Sequence, residues 1–232
     1  MPLSQKINDA GFALVRQVLT DTECDRLAAE VRRSASVSGG TRGLLENAWC
    51  QLLAVQLREH ALLAPLLQPN YVAVQCTYFE KSASRNWLVP VHQDLSIPVA
   101  EHIEHPSLRG WSEKEGALFV QAPDSVLEQL LALRVHLDDC SENDGPLRVV
   151  PGTHALGKLE AQAAVAARRS KPEFVCAAPR GSVLAMRPLL LHSSSKATGA
   201  GLRRVLHFLF GPSELPLGLR WQDAVALRNQ PN

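Results

Sequence analysis

From Tyr71 to Phe210 the chain is a succession of short β-type segments broken by Gly, Pro and Asn/Asp turns, and no other feature narrows its fold as much. Strands are expected over 71–80, 88–95, 130–138, 147–150, 173–176, 182–186, 189–193 and 202–210. That number of short strands suits a two-sheet jelly roll, the cupin-like double-stranded β-helix. Ahead of it, a short strand within 11–19 leads to a helix that Thr20 or Asp21 can cap. Asp21 and Glu23 fall in its first turn, and Leu27, Ala28 and Val31 share a face before a turn at Gly39 and Gly40. A second helix is expected over about 44–63, with Leu45, Ala48, Trp49, Leu52, Leu53 and Leu57 at helical spacing and Pro65 near its end. The expectation is a mainly β (α+β) fold in a single domain, 1–232. Its helical part, about 20–68, packs on one sheet of a jelly-roll core over about 71–211.

Within this frame, His92 and Asp94 are two apart in a β-type segment, and on a strand residues i and i+2 point to one face. An imidazole and a carboxylate aimed together are metal-ligand types. A two-histidine, one-carboxylate site for iron(II) needs one more imidazole, for which His192 is the best candidate, and it leaves coordination positions open. Two further motifs accompany this set: the run Asn143-Asp144-Gly145-Pro146-Leu147-Arg148-Val149-Val150-Pro151-Gly152-Thr153-His154, and Arg203 eleven residues beyond His192.

In order and spacing these motifs resemble the phytanoyl-CoA dioxygenase family of iron(II)- and 2-oxoglutarate-dependent oxygenases, over roughly residues 11–210. The resemblance implies iron(II) held by His92, Asp94 and His192, with 2-oxoglutarate as co-substrate and molecular oxygen as the second. It implies that the far carboxylate of 2-oxoglutarate pairs with Arg203, and that Gln75 and Thr77 contribute to the pocket. The implied reaction hydroxylates an unactivated C–H bond of a small organic or acyl substrate and releases succinate and carbon dioxide. Related halogenases have a small residue in place of the carboxylate, so Asp94 points to hydroxylation.

The residues add detail. A turn within 196–201, with its tip near Ala197 and Thr198, predicts a hairpin that sets Arg203 opposite His192, with Ser194 as a further donor to a carboxylate. Arg204 is the competing guanidinium on the opposite face. On the strand over 130–138, Leu131, Leu133, Val135 and Leu137 form an apolar face. Arg134 and His136 lie on the polar one, which is either exposed or turned into the cavity toward co-substrate or substrate; relatives commonly carry an aromatic residue near position 134. The polar stretch 96–119 reads as a long loop beside the site, a lid, and Trp111 within it joins Arg134 and His136 as a candidate substrate contact. A helix over 159–166 is expected at the barrel edge, and His154 as a loop tie. His102 and His105 are expected in a solvated loop, and His207 in a core or surface role.

A net charge of +1 offers no basic field for nucleic acid, an anionic membrane surface or a CoA phosphate, so the partner expected is a small molecule. Five cysteines scattered singly suggest free thiols in a reducing compartment. The first residues lack the blocks of a signal peptide and no apolar run reaches membrane-spanning length, so a cytoplasmic enzyme is expected. The competing class is a cupin-type protein that binds a metal or small ligand without 2-oxoglutarate turnover, and such a protein has no use for Arg203 beside the metal.

Overall fold

The computed structural model describes residues 1–34 and 40–226, so the turn expected at Gly39 and Gly40 lies partly outside the described residues. In chain order the elements are α1 (Leu3–Ala10), β1 (Phe12–Val15), α2 (Asp21–Ser34), β2 (Gly40–Thr41), α3 (Ala48–Glu59), β3 (Tyr71–Lys81), β4 (Val89–His92), β5 (Ser96–Val99), β6 (Arg109–Lys114), β7 (Ala117–Gln121), α4 (Asp124–Leu127), β8 (Leu131–His136), β9 (Leu147–Val149), α5 (Ala161–Ser170), β10 (Phe174–Cys176), β11 (Val183–Met186), β12 (His192–Ser194) and β13 (Arg203–Pro212). Among these residues the strands form sheets ordered β1-β11-β8-β13-β3-β2, β10-β9-β12-β4 and β5-β7-β6. From β3 onward the chain crosses repeatedly between the first two sheets, β3 to β4, β8 to β9, β11 to β12 and β12 to β13, and these crossings make it a jelly roll.

Helices α1, α2 and α3 cover the outer face of the six-stranded sheet. Helix α2 starts at a capping box in which the Glu23 N–H donates to Thr20 Oγ1 (3.3 Å) and the Thr20 N–H donates to the Glu23 carboxylate (2.8 Å). Its buried stripe, Cys24, Leu27, Ala28 and Val31, includes the residues expected. Helix α3 is shorter than the expected 44–63, because Asn47 and His60 are extended and single 3₁₀ turns, Leu44–Glu46 and Ala64–Leu66, flank it. Its buried stripe runs through Cys50, Leu53, Ala54 and Leu57, leaving Leu52 63% exposed. Helix α1 was not anticipated; at eight residues with one buried side chain, Ile7, it carries too little periodicity to be read.

Two apolar layers sandwich the large sheet. Leu131, Leu133, Val135, Leu206 and Phe208 pack outward against Leu27, Val31, Leu53 and Leu57. Ala132, Leu184 and Met186 pack inward with Leu147 and Val149 of the small sheet. This decides the alternation on β8: its polar face is turned inward, and Arg134 and His136 are only 7% and 4% exposed. On β3 the alternation is interrupted. Leu209 pairs with Gln75 and Phe210 with Ala73, so Val74 is the extra residue of a β-bulge, and beyond it Gln75, Thr77 and Phe79 line the interior cavity while Cys76 and Tyr78 join the outer layer.

The stretch 96–119 is not a loop lid. It contains β5, β6 and most of β7, an antiparallel sheet with Ile97, Val99 and Val120 fully buried and Phe119 at 3% exposure. Pro98, Gly110 and Gly116 masked the strand pattern in the sequence. Among the described residues all five cysteines are buried free thiols, and no helix is long and apolar enough to cross a membrane.

Candidate metal centre and its cavity

Strand β4 ends at His92, and Asp94 lies beyond it, its backbone N–H donating to Pro188 O (2.9 Å) rather than to a strand ladder. The ligand pair therefore does not come from one continuous strand as expected. Strand pairing supplies the other juxtaposition, since His192 of β12 is in register opposite His92 of β4 and their ring centroids are 4.2 Å apart. His92 Nε2 is 3.6 Å from Asp94 Oδ1, and His192 Nε2 is 3.6 Å from Asp94 Oδ2. One ligand atom from each of the three residues falls within 4.8 Å of the others.

Each imidazole is fixed from behind. His92 Nδ1 lies 2.9 Å from Pro90 O and His192 Nδ1 2.8 Å from Leu190 O. A carbonyl only accepts, so Nδ1 carries the proton and the Nε2 lone pair is left facing the common centre, the arrangement usual behind metal-bound histidines. Burial opposes a charge on Asp94, but His192, His92 and His207 outweigh it and hold the carboxyl well below the usual range. Burial pushes His192 down to about 4. At neutral pH the centre thus offers a carboxylate and a neutral His192 imidazole, a donor set that fits a divalent first-row metal such as iron(II).

A cavity of about 400 Å³ opens off the triad, with Gln75, Thr77, Arg134, Ser194, Arg203 and His207 among its lining. Arg203 reaches it by a route other than the expected hairpin. Strand β12 pairs with β4 and β9, whereas β13 pairs with β3 and β8, so residues 195–202 cross from one sheet to the other and Arg203 enters from the far wall. Its Nη1 donates to Gly145 O, which also accepts from Ser194 Oγ (3.0 Å). Gly145 has φ +63°, and a Cβ there would stand 2.6 Å from Ser195 O, so only glycine brings this carbonyl so close. Arg203 Nε is buried without a partner, and among the described residues no carboxylate pairs with the guanidinium. Arg204 is engaged elsewhere, in two hydrogen bonds to Asp138 (2.8 and 2.6 Å).

Two residues beside the site were missed from sequence. Lys81, in register with Arg203 and 1% exposed, donates to Ser194 Oγ (2.5 Å) and to Ser195 O; burial, then Arg203, pushes it down to about 8. A lysine in alternation with Gln75, Thr77 and Phe79 was the available signal. His207, expected in a core or surface role, lines the cavity with Nε2 4.0 Å from Asp94 Oδ2 and Nδ1 2.9 Å from Arg134 Nη1. A guanidinium only donates, so Nδ1 accepts and the remaining proton faces Asp94. The alternation Arg203, Val205, His207 was the sign that it points inward.

Trp111 and His136 are corrected as substrate contacts, whereas Gln75, Thr77 and His154 lie where the sequence placed them. Trp111 does not line the cavity; it stacks on His102, centroids 4.1 Å apart, over the barrel core. His136 is buried beneath the cavity wall with neither ring nitrogen partnered, and is not among the lining residues. Gln75 and Thr77 lie on the wall joined by a 2.9 Å hydrogen bond. His154 is near Asn8 O (3.0 Å) and ties α1 to the barrel.

These burials give a pH dependence. Burial holds His136 and His207 at about 3 and His192 at about 4, against 6.5 when unfolded. Between those values the unfolded chain binds more protons than the folded one, so stability rises with pH. The melting temperature of the metal-free protein is expected to fall as pH drops from about 6.5 toward 4. His92, whose pKa is raised because Asp94 outweighs burial, works in the opposite sense, as does Asp223, which burial pushes up from the usual carboxylate range. A melting temperature that is flat or rising over that interval, measured by calorimetry, contradicts the buried neutral histidines.

A jelly roll that presents two imidazoles and a carboxylate to one point at the head of a cavity defines a facial-triad metal protein. The sequence match is more specific: phytanoyl-CoA dioxygenase (PhyH) corresponds to residues 7–205, and the chain belongs to that family of non-haem iron- and 2-oxoglutarate-dependent oxygenases. It is 29% identical over 152 residues to the L-proline trans-4-hydroxylase of Streptomyces griseoviridis, a match covering 54% of this chain and about half, 49%, of that enzyme's length. Among solved structures, the α-ketoglutarate-dependent carbocyclase SnoK from nogalamycin biosynthesis superposes with a TM-score of 0.69 at 15% identity, covering 91% of this chain and 83% of that one. AviO1 from Streptomyces viridochromogenes Tue57 gives 0.65 at 20%, covering 92% and 95%. HygX from Streptomyces hygroscopicus, with nickel and 2-oxoglutarate bound, gives 0.63 at 17%, covering 91% and 86%. At these identities the likeness is one of fold.

Proposed function

We propose that this chain, acting as one catalytic domain, is a hydroxylase that inserts oxygen into an unactivated C–H bond of a small organic substrate at a centre formed by His92, Asp94 and His192. The observation that carries the proposal is the convergence of those three side chains, each imidazole held by a backbone carbonyl, at the head of a cavity whose far wall holds a buried guanidinium without a carboxylate. When bound, iron(II) with 2-oxoglutarate and oxygen supplies the oxidising power, the keto acid leaving as succinate and carbon dioxide. Arg203 binds the far carboxylate of the keto acid, its planar fork matching two carboxylate oxygens. Lys81 and Ser194 add charge and a hydroxyl at that end, while Gln75 and Thr77 shape the adjoining wall. His207 directs its Nε2 proton toward Asp94 and so limits the rotation of that carboxylate. The apolar lining, including Leu130, Phe119 and Leu209, excludes water from the reacting carbon.

Anaerobic titration of 2-oxoglutarate into the iron(II)-loaded protein tests this. A saturable visible charge-transfer band of the iron(II)–keto acid chelate is the expected result. Metal binding with no band at any concentration favours the cupin-type alternative.

A further inference from the structure

We propose that the substrate of this oxygenase carries a carboxylate, and that Arg134 binds it inside the cavity. This rests on the reading of the site as an iron(II) and 2-oxoglutarate centre and adds the chemical class of the substrate. Arg134 is 7% exposed, lines the cavity, and stands in register opposite His207 on the inner face of the large sheet. Its Nη1 is held by His207 Nδ1 (2.9 Å) and its Cζ lies 5.7 Å from the Phe79 ring centroid, while its Nε has no partner. Among the described residues it forms no ion pair, and Asp94 is the one carboxylate in the cavity lining.

Charge balance turns this into an argument about the ligand. A divalent metal and Arg203 together offset Asp94 and the dianion of 2-oxoglutarate, so the charge of buried Arg134, like those of Lys81 and Lys114, is matched by no further carboxylate of the cavity lining. A buried guanidinium without an anion is strongly unfavourable unless something brings one. Lys81 does not meet the same need, since it sits at the Arg203 end against Ser194 and Ser195 O. Arg134, on the neighbouring β8, stands opposite His207, which lies four residues or roughly 13 Å of strand beyond Arg203 on β13 and whose other nitrogen faces Asp94. An anion held there lies next to the metal centre, where the carbon to be oxidised must be kept.

The surroundings favour a small acid. His207 accepts from one arm of the guanidinium and Phe79 covers its face, so the fork is oriented before a ligand arrives, as bidentate carboxylate recognition requires. Lys114 of β6, which also lines the cavity and has no carboxylate partner among the described residues, adds positive potential that steers anions inward. Arg42, nearby, is already paired with Glu115 at 3.0 Å. The cavity of about 400 Å³ is at the low end for small-molecule sites, roughly 300–1,000 Å³, and the co-substrate takes part of it.

The test uses the anaerobic iron(II)- and 2-oxoglutarate-loaded protein. It is titrated with L-proline, a straight-chain acid and an aromatic acid, and with the primary amide of each, following the shift of the charge-transfer band. At least one acid is expected to shift the band, with its amide binding roughly ten- to a hundredfold more weakly. Arg134→Gln should weaken that acid to the level of the amide and Arg134→Lys should fall between, while the Kd for 2-oxoglutarate stays within about threefold of wild type. If Arg134→Gln does not fold, the acid and amide comparison on the wild-type protein decides alone. The proposal is overturned if amides bind as well as acids, if no acid binds, or if Arg134→Gln loses 2-oxoglutarate instead, which would make Arg134 part of the co-substrate site. A wild-type protein with no band overturns the underlying reading, and the proposal with it.

Discussion

Replacing His192 or His92 by alanine is expected to remove most of the iron(II) that the wild-type protein retains against a chelator. Even a residue one shell behind a metal ligand typically carries ten- to a hundredfold of affinity, so loss of a ligand should cost at least about a hundredfold. The two variants differ in one respect. His192 is 4% exposed in β12, so its alanine variant also opens a small void, whereas His92 is partly exposed and its loss should leave the fold unaffected. His92→Ala is therefore the cleaner measurement, read as iron per chain after equilibration with a competing chelator. Asp94→Ala should weaken the metal as well and stop hydroxylation. Full iron stoichiometry in both histidine variants would remove the metal centre proposed here.

Arg203→Ala is expected to weaken 2-oxoglutarate by roughly ten- to a hundredfold, the range for losing a charge-assisted hydrogen-bonded pair of about 1.5–3 kcal/mol. Arg203→Lys keeps the charge but loses the fork, so it should fall between alanine and wild type. Lys81 remains beside the same carboxylate position, which sets the effect toward the lower end for alanine. Iron(II) affinity should be unchanged in both, since Arg203 contacts none of the three ligands. Arg204→Ala is the control: its guanidinium is held by Asp138 in two hydrogen bonds, so its loss should lower stability without touching 2-oxoglutarate. Anaerobic titrations of the three variants separate these outcomes. Equal loss of 2-oxoglutarate affinity in the Arg203 and Arg204 variants would show that the assignment of the arginine is wrong.

The sequence by itself determined the jelly roll and the capped helix α2, and it singled out the three side chains that gather at the candidate metal centre, because each of these signals is local. Strand alternation, turn chemistry, a capping box and the spacing of chemically distinctive side chains all act within a few residues and survive in the linear pattern. What the tertiary structure decided depends on contacts between distant segments. The strand expected to carry both His92 and Asp94 ends at His92, and the ligand set closes only because β12 sets His192 in register opposite it. A local hairpin reading brought Arg203 to the cavity by a path the chain does not take, since the turn after Ser194 crosses between sheets. The bulge at Val74 shifts alternation by one residue and sends Gln75, Thr77 and, beyond them, Lys81 inward; unbroken alternation from Ala73 would have turned Gln75 and Thr77 toward the helices. The pairing of Arg134 with His207 likewise exists only across two strands far apart in the chain. Residue type announces which chemistry is available, but register and sheet crossing are set by packing of the whole barrel, and they decide which side chains meet.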